Sequence, residues 1–304
     1  MTSAAPIETL EVALKHGITL SCRAAGAPGA PLLVFLHGFP EAAFVWDELL
    51  RHFAPRYRCV APNLRGFERS SSPSEVERYR AKHLVTDIHA LIAALGGQAA
   101  ALVAHDWGGA VAWAFAAAHP QALQRLVIVN SPHPATFLRE LRGNPSQQAA
   151  SAYMNFLCRP DAEARLAEND FARLWTFFER MGATDRSHPG GGWLDESVRE
   201  RYREVWRLGL TGGCNYYRAS PLRPPLQPDD PVMTLQLPAE MVTVRVPTHV
   251  VWAEADVALP PALLDGLEAF VPQLTVTRVP GATHWIVHER AALVAAEIER
   301  ALAR

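Results

Sequence analysis

Short apolar runs alternate with longer amphipathic stretches over the first 130 positions of the chain. The first two runs, 10–14 and 18–24, alternate apolar with polar or small residues around a Lys-His-Gly turn, which predicts a hairpin at one edge of a sheet. The next runs are mostly apolar, as in strands that are buried on both faces of a parallel sheet. They cover 31–36, 58–62, 99–104 and 126–130.

The stretches between these runs have the spacing of helices. Residues 44–53 and 82–95 place apolar side chains every three or four positions, and a Gly-Gly pair ends the second stretch. Strands that alternate with helices form a mostly parallel sheet with helices on both faces. The same pattern returns near the C-terminus, with two strands and a closing helix at 248–253, 274–279 and 291–303. The chain is therefore predicted to be an α/β protein.

The alternation breaks off in the middle of the chain. Residues 134–238 are rich in aromatic side chains and contain no run typical of a strand; the segment includes a proline-rich stretch at 221–231. Its clearest helical patterns are at 151–156, 171–181 and 196–210. We therefore divide the chain into a first core segment, an inserted all-helical lid and a second core segment, at 1–133, 134–238 and 239–304.

Composition excludes several classes of partner. Of 304 residues, 49% are hydrophobic, enough for a large core, and the net charge of −2 comes without a basic cluster, which argues against binding nucleic acid or an anionic membrane surface. The first twenty residues lack the pattern of a secretion signal, so we expect a cytoplasmic protein. The cysteines are far apart, which argues against a disulfide framework or a zinc site. They are Cys22, Cys59, Cys158 and Cys214.

A tight turn follows the run at 99–104. It has the sequence His-Asp-Trp-Gly-Gly, and an Ala-rich stretch with helical spacing comes next, so the chain must pass abruptly from a strand into a helix around Asp106. Small residues at Ala104, Gly108 and Gly109 allow backbone segments to approach closely, as in the strained elbow that presents a catalytic nucleophile. The alternative is an ordinary turn in which Asp106 caps the helix.

Four titratable side chains follow predicted strands, at the edge of a parallel sheet where ligands bind. They are His37, Asp106, Asp256 and His284. The last three come in the order nucleophile, acid, base along the chain, which is the order of a hydrolase triad built on such an elbow. Glu254 lies in the same loop as Asp256 and is the alternative acid.

Four motifs link these positions to a known family: His37-Gly38-Phe39-Pro40, His105-Asp106-Trp107-Gly108-Gly109, Tyr153-Met154-Asn155-Phe156 and Asn215-Tyr216-Tyr217-Arg218. Through them the chain resembles α/β-hydrolases of the epoxide hydrolase branch along nearly its whole length. The resemblance implies an α/β-hydrolase fold, a mostly parallel sheet flanked by helices with an inserted all-helical lid. Two positions depart from the family pattern: Ala104, where the family has Gly, and Asn63, where many relatives have Asp.

The resemblance implies a role for each motif residue. Asp106 is the expected nucleophile, His284 the base that activates water, and Asp256 its acid partner. The backbone N–H groups of Phe39 and Trp107 form the expected oxyanion hole, in which Pro40 follows a cis peptide bond. The phenols that hold the epoxide are expected at Tyr153 and Tyr217, with Tyr216 as the alternative to Tyr217.

Further residues are expected to surround the substrate. They are His37, Pro40, Trp107, His133, Trp175 and Phe178, although His37 also suits a bracing role in the oxyanion loop and His133 a packing role. The resemblance implies a small hydrophobic epoxide and water as substrates, no cofactor, no metal, and a monomer or homodimer.

Two other functions remain open at this point. Haloalkane and haloacid dehalogenases share the Asp nucleophile, but Phe39 stands where one group of haloalkane enzymes has a halide-binding Asn. Haloacetate enzymes have arginines just after the nucleophile, where this chain has Trp107 and Ala110. A non-catalytic binding protein with the same fold is the second alternative, and the intact set of Asp106, Asp256 and His284 argues against it.

Overall fold

A computed structural model describes residues 5–304 of the protein; the first four residues of the predicted segment 1–133 lie outside that range. Eight strands form one sheet in the order β1-β2-β4-β3-β5-β6-β7-β8. They are β1 (Glu8–Ala13), β2 (Thr19–Ala25), β3 (Leu32–Leu36), β4 (Arg58–Pro62), β5 (Ala101–His105), β6 (Leu126–Val129), β7 (Thr248–Ala253) and β8 (Leu274–Val279).

The sheet is parallel from β4 to β8, and β1 and β2 form the predicted antiparallel hairpin at one edge. Every residue of β3, β5, β6 and β7 is buried, because helices cover both faces of the sheet. The predicted α/β fold is confirmed.

Twelve α-helices accompany the strands within residues 5–304. They are α1 (Asp47–Phe53), α2 (Ala81–Ala94), α3 (Asp106–Ala118), α4 (Pro134–Gly143), α5 (Pro145–Ala150), α6 (Tyr153–Leu157), α7 (Ala162–Arg180), α8 (Glu196–Trp206), α9 (Thr211–Ala219), α10 (Ala239–Val242), α11 (Ile286–Glu289) and α12 (Ala291–Leu302). Within residues 5–304, none is both long and apolar enough to cross a membrane.

The long connection between β6 and β7 contains helices only, from α4 to α10, in the region described. Residues of this connection contact the segments that follow β3, β5, β7 and β8, at the edge of the sheet where the parallel strands end. Helix α7 is interrupted at Glu168–Phe171, where three consecutive residues have positive φ angles. We refer to residues 134–238 as the lid.

Candidate active site

Asp106 occupies the turn between β5 and α3. Its φ angle is +50°, a conformation that residues other than glycine rarely adopt. Two glycines make room for this turn. A Cβ atom on Gly38 would lie 2.1 Å from Asp106 Oδ1, and one on Gly108 would lie 2.4 Å from the Leu36 carbonyl oxygen. The local backbone therefore presents Asp106 as an elbow rather than as an ordinary helix cap.

The loop after β3 provides a backbone hydrogen bond to the Asp106 carboxylate. The Phe39 N–H donates a hydrogen bond of 2.7 Å to Asp106 Oδ1, and the Phe39–Pro40 peptide bond is cis. The Ser131 hydroxyl donates to the Asp106 carbonyl oxygen at 2.7 Å, which fixes the backbone of the turn. One predicted oxyanion donor, Phe39, thus contacts the carboxylate directly.

His284 lies between the other two carboxylates of the predicted triad. Its Nδ1 donates to Asp256 Oδ2 at 2.6 Å, and its Nε2 is 3.8 Å from Asp106 Oδ2. Because Nδ1 carries the proton in that bond, Nε2 faces the nucleophile as the atom that accepts or releases a proton. Glu254, the alternative acid, points instead to Arg278 at 3.4 Å.

Burial and charge act against each other on the pKa of His284. Burial alone would lower the pKa, but the charge and hydrogen bond of Asp256, followed by the charges of Asp106 and Glu41, raise it to about 9. Burial likewise would raise the pKa of Asp256, whereas His284, the Asn130 amide and the Ala258 N–H keep it below its usual value. The pair is therefore an imidazolium beside a carboxylate in the free protein near neutral pH.

Two lid tyrosines approach the nucleophile. The rings of Tyr153, on α6, and Tyr217, on α9, are 6.1 Å apart, and Tyr217 also contacts the indole of Trp107 at 5.0 Å between ring centroids. Burial, followed by nearby charge or phenol groups that include the Asp106 carboxylate, raises the pKa of both phenols. Both are therefore protonated and available as hydrogen-bond donors near Asp106.

Tyr216 faces a different part of the protein. Its hydroxyl donates to the Arg65 carbonyl oxygen at 3.0 Å, and its ring packs against Phe67 and Tyr79. The hydrogen bond satisfies the buried phenol within the contact between lid and core. Of the two neighbouring tyrosines, Tyr217 is the one beside Tyr153.

A cavity of about 620 Å³ opens beside Tyr153, while Tyr217 is not among the residues that line it. Phe39 and Tyr153 line it at the nucleophile side, while Asp106 and His284 are not among its lining residues. The side chain of Asp106 nevertheless keeps 14% of its surface accessible. Most of the wall is apolar and comes from α5, α6 and α7. This volume suits a small organic molecule with an extended apolar part.

Several residues predicted to contact the substrate lie away from this cavity. Both ring nitrogens of His37 are bonded to backbone groups, the Gly38 carbonyl and the Leu64 N–H, and burial lowers its pKa to about 4. His133 likewise bonds to the Val242 carbonyl and accepts from the Ala135 N–H at the start of α4. Each imidazole therefore braces a loop instead of facing the cavity.

Two predicted lid residues, Trp175 and Phe178, do not line this cavity either. Trp175 donates to the Asp170 carbonyl and packs on Trp206, and Phe178 stacks on Trp285 at 4.3 Å. Both are buried because they form the packing within the lid and between the lid and α11. Pro40 accepts a hydrogen bond from the indole of Trp206 through its carbonyl oxygen.

Sequence reasoning missed a buried polar network behind the triad. Glu41 accepts hydrogen bonds from Tyr202 of the lid and from His288, and lies 3.3 Å from His105 Nδ1. His105 Nε2 in turn donates to the His284 carbonyl oxygen at 2.9 Å. Burial would raise the pKa of Glu41, but His105 and His288 hold it well below its usual value. The sequence could have indicated Glu41, because it is a charged residue between the apolar run of β3 and the apolar residues 42–46.

Asn130 is a second residue that the motifs did not indicate. It directly follows β6 with a φ angle of +38°, and its amide donates to Asp256 Oδ2 at 2.8 Å. Together with the N–H groups of Ala258 and Leu259, which bind Asp256 Oδ1, it fixes the carboxylate that faces His284. In the sequence, its position at the end of a predicted strand could have indicated that it belongs to the site.

No cluster of three or more His, Cys, Asp or Glu side chains in residues 5–304 could hold a metal ion. The four cysteines form no disulfide bonds. The site therefore consists of a carboxylate, an imidazole-carboxylate pair, a backbone donor and two phenols. These groups are sufficient for a displacement at carbon followed by hydrolysis.

Comparison with known proteins identifies similar chains. The profile of the α/β-hydrolase fold family matches residues 31–291. An α/β-hydrolase superfamily protein of Bacillus subtilis is 35% identical over 92% of this chain and 92% of its own length. Epoxide hydrolase 3 of Xenopus tropicalis is 32% identical over 90% of this chain and 72% of its own length. The crystal structure of Bacillus megaterium epoxide hydrolase with an inhibitor superimposes with a TM-score of 0.87 at 30% identity, covering 97% of this chain and all of the other.

Proposed function

Because the chain belongs to the α/β-hydrolase family and to its epoxide hydrolase branch, we propose that it converts epoxides to vicinal diols through a covalent ester on Asp106. The observation that carries this proposal is the juxtaposition of a carboxylate at the elbow with two lid phenols. When an epoxide ring opens, the departing oxygen becomes a strongly basic alkoxide, so it needs a proton donor such as a phenol. The nucleophile is a carboxylate, which needs no base to activate it.

In the first step a carboxylate oxygen of Asp106 attacks one ring carbon of the epoxide. The carbon–oxygen bond of the ring breaks, the oxygen takes the electron pair, and a proton from Tyr153 or Tyr217 neutralises it. The Phe39 N–H already binds Oδ1, which leaves Oδ2 as the attacking atom. The product is an ester of Asp106 with the alcohol formed from the ring.

In the second step water attacks the carbonyl carbon of this ester. His284 Nε2 takes the proton from water, and Asp256 keeps the imidazole in the required orientation. The negative charge that develops on Oδ1 is stabilised by the Phe39 N–H, and we assign the Trp107 N–H as the second donor. The ester bond then breaks: the leaving oxygen takes a proton and departs as the diol, Asp106 returns to a carboxylate that contains one oxygen of the water, and the proton held by His284 returns to the tyrosine phenolate.

This proposal is tested by trapping the ester. We expect the His284→Gln variant to become heavier by one epoxide in intact mass spectrometry after mixing with styrene oxide, because alkylation does not need the base. The double variant Asp106→Asn, His284→Gln is the matched control and should keep its mass. An unmodified mass in the single variant, together with normal diol formation, would rule out the covalent route.

A substrate panel separates the proposal from the dehalogenase alternative and from simple ester hydrolysis. We expect turnover of styrene oxide to the diol, with little halide release from a chloroalkane and little cleavage of a nitrophenyl ester. The structural reason is that both phenols serve an oxygen leaving group, which a halide does not require. Halide release that exceeds diol formation would favour the dehalogenase alternative.

A further inference from the structure

The loop that carries His284 is held by a carboxylate that takes no part in the proposed chemistry. This loop connects β8 with α11, and Glu289 is the last residue of α11. Glu289 Oε2 accepts a hydrogen bond of 2.9 Å from the Thr283 N–H, and Glu289 Oε1 accepts another from the Thr283 hydroxyl. Both oxygens of this carboxylate are therefore bonded to the residue directly before His284.

The side chain of Glu289 is completely buried, with an exposed fraction of 0%. The lid segment between α7 and α8 packs against it. A Cβ atom on Gly190 would lie 1.9 Å from the Glu289 carbonyl oxygen, and one on Gly182 would lie 2.7 Å from the Thr283 side chain. His188 of the same segment places its Nε2 3.8 Å from Glu289 Oε1. Burial of a carboxylate costs free energy that its hydrogen bonds must offset, and these bonds are strong where water is excluded.

His284 is held on three sides once Glu289 is included. The ring Nδ1 donates to Asp256, and the His284 carbonyl oxygen accepts from His105 Nε2 at 2.9 Å. These two bonds lie on the side chain and on the C-terminal side of the residue. Glu289 acts on the N-terminal side, through Thr283. A change of the backbone at Thr283 would therefore move the imidazole relative to the nucleophile.

We infer that Glu289 is a positioning residue for hydrolysis of the ester, because it holds His284 in place through Thr283. The inference rests on the proposed epoxide hydrolase mechanism and adds a residue to its second step. The first step does not use His284 as a base, since the attacking group is already a carboxylate. Loss of the Glu289 contacts should therefore slow ester hydrolysis selectively. A merely structural role would change both steps alike, or neither.

The test measures the two steps separately, in single turnovers of styrene oxide. Glu289→Leu removes both acceptor oxygens and keeps a side chain of similar size. We expect ester hydrolysis to slow by about 10- to 100-fold, the order of loss when a catalytic group is misplaced by up to about 1 Å. The alkylation rate should stay close to that of the wild type, so intact mass spectrometry should find the ester accumulating during turnover. Glu289→Gln retains one acceptor oxygen and should restore part of the hydrolysis rate.

Glu297→Leu is the matched control. Glu297 of α12 is also a buried carboxylate and accepts a hydrogen bond of 2.8 Å from the Thr277 hydroxyl, but Thr277 lies within β8 and not beside His284. This variant should be less stable and should keep the wild-type ratio of the two rates.

Thr283→Val is a second test of the same contact. It removes the hydroxyl that donates to Glu289, keeps the shape of the side chain and leaves the Thr283 backbone N–H in place. Ester hydrolysis should slow by about three- to tenfold, which corresponds to the loss of one hydrogen bond. If Glu289→Leu does not fold, the rates of Thr283→Val decide the inference.

Equal slowing of alkylation and hydrolysis in Glu289→Leu would overturn the inference, as would wild-type hydrolysis rates in a folded Glu289→Leu or in Thr283→Val. The wild-type protein distinguishes this failure from failure of the proposed function. If it forms and hydrolyses the ester, and the variants do so equally well, only the assignment of Glu289 is wrong. If it forms no ester from an epoxide, the proposed function is wrong and the inference falls with it.

Discussion

At the scale of single residues, the sharpest expectation concerns the phenols of Tyr153 and Tyr217. Both lie near Asp106, and both are proton donors at neutral pH because burial raises their pKa. We expect Tyr153→Phe and Tyr217→Phe each to slow formation of the ester from an epoxide by about 10- to 1000-fold, since each removes one positioned donor. The double variant should be almost inactive. Rapid-quench measurement of the alkylation step gives these rates.

Tyr216→Phe is the control for that experiment. It removes a buried phenol of the same helix, but one whose hydroxyl is bonded to the Arg65 carbonyl. It should cost about 1 kcal/mol of stability and leave the alkylation rate close to that of the wild type. Wild-type rates in both active-site variants, with a slow Tyr216→Phe variant, would reverse our assignment of the tyrosines.

The pKa of His284 leads to a second prediction. Only neutral His284 can take a proton from water, and its pKa in the free protein is raised to about 9 despite burial, by Asp256 and then by Asp106. Formation of the ester removes the charge of Asp106, so the pKa of His284 should fall in the intermediate. We expect the rate of ester hydrolysis to rise with pH through an apparent pKa below about 9 and then to level off.

Single-turnover hydrolysis across this pH range measures the effect on the rate. The pKa of His284 can be measured directly from the histidine NMR resonances of the Asp106→Asn variant, which lacks the Asp106 charge as the ester does. This pKa should be lower in the variant than in the wild type. A hydrolysis rate that decreases as the pH rises would contradict a role for His284 as the base.

Short motifs predicted which residues lie together at the elbow better than which residues line the cavity. Asp106, Phe39 and His284 lie in segments whose backbone geometry requires particular residue types, and these types are visible in the chain. His133 and Trp175 were assigned to the pocket from residue type and position alone. The same residue types also cap helices and fill cores, and only the packing of the folded chain decides which role each residue has.

At the scale of elements, the elbow between β5 and α3 depends on close approach of the loop after β3. A Cβ atom on Gly38 would lie 2.1 Å from the Asp106 carboxylate, so Gly38→Ala must displace the nucleophile. We expect the alkylation rate to fall by about 100-fold, the order of loss for a misplacement of about 1 Å. Pre-steady-state kinetics of this variant provide the measurement.

Gly143→Ala is the control for this substitution. Gly143 ends α4, and a Cβ atom there would have no neighbour within 4 Å. Activity should not change, and the free energy of unfolding in urea should stay equal or increase by up to about 1 kcal/mol. An unchanged alkylation rate in Gly38→Ala would show that the elbow tolerates movement.

The strands were easier to predict than the lid helices for a physical reason. β7 and β8 match the predicted ranges: β7 is a mostly apolar, fully buried run, whereas β8 alternates apolar with polar residues, as in an edge strand that is only partly buried. The helical pattern at 196–210 in fact covers α8 and the turn at Gly209, which has a φ angle of +135°. Helix α9 was not predicted, since its Gly-Gly pair disfavours a helix. There Gly212 packs directly on the backbone of Gly66, so tertiary contact outweighs propensity.

At the scale of the whole molecule, one charged pair lies in the core beneath the lid and another joins the lid to the core. Arg65 and Asp87 form a buried bidentate pair with side chains only 1% and 3% exposed, and the Arg65 carbonyl accepts the hydroxyl of Tyr216 from the lid. Arg201 of the lid binds Asp47 of the core at 2.8 Å, but its side chain is 43% exposed. Water and salt screen the second pair far more than the first.

We therefore expect very different costs when one partner of each pair is removed. Asp87→Ala leaves an uncompensated charge on buried Arg65 and should lower the free energy of unfolding by about 3–5 kcal/mol. Arg201→Ala should cost about 1 kcal/mol, including the loss of its contact with the ring of Phe44. Urea unfolding at low and high salt measures both, and only the Arg201 effect should shrink with salt.

The two variants should also differ in activity, because only one pair lies beneath a reacting group. The Arg65 loop supports Tyr216, and Tyr216 is adjacent on α9 to Tyr217, so a loosened loop shifts a phenol that donates to the epoxide oxygen. Asp87→Ala should slow alkylation under conditions in which the variant is still folded, whereas Arg201→Ala should not. Equal stability losses in the two variants would mean that burial does not set the strength of these pairs. Equal alkylation rates would mean that the position of Tyr217 does not depend on the Arg65 loop.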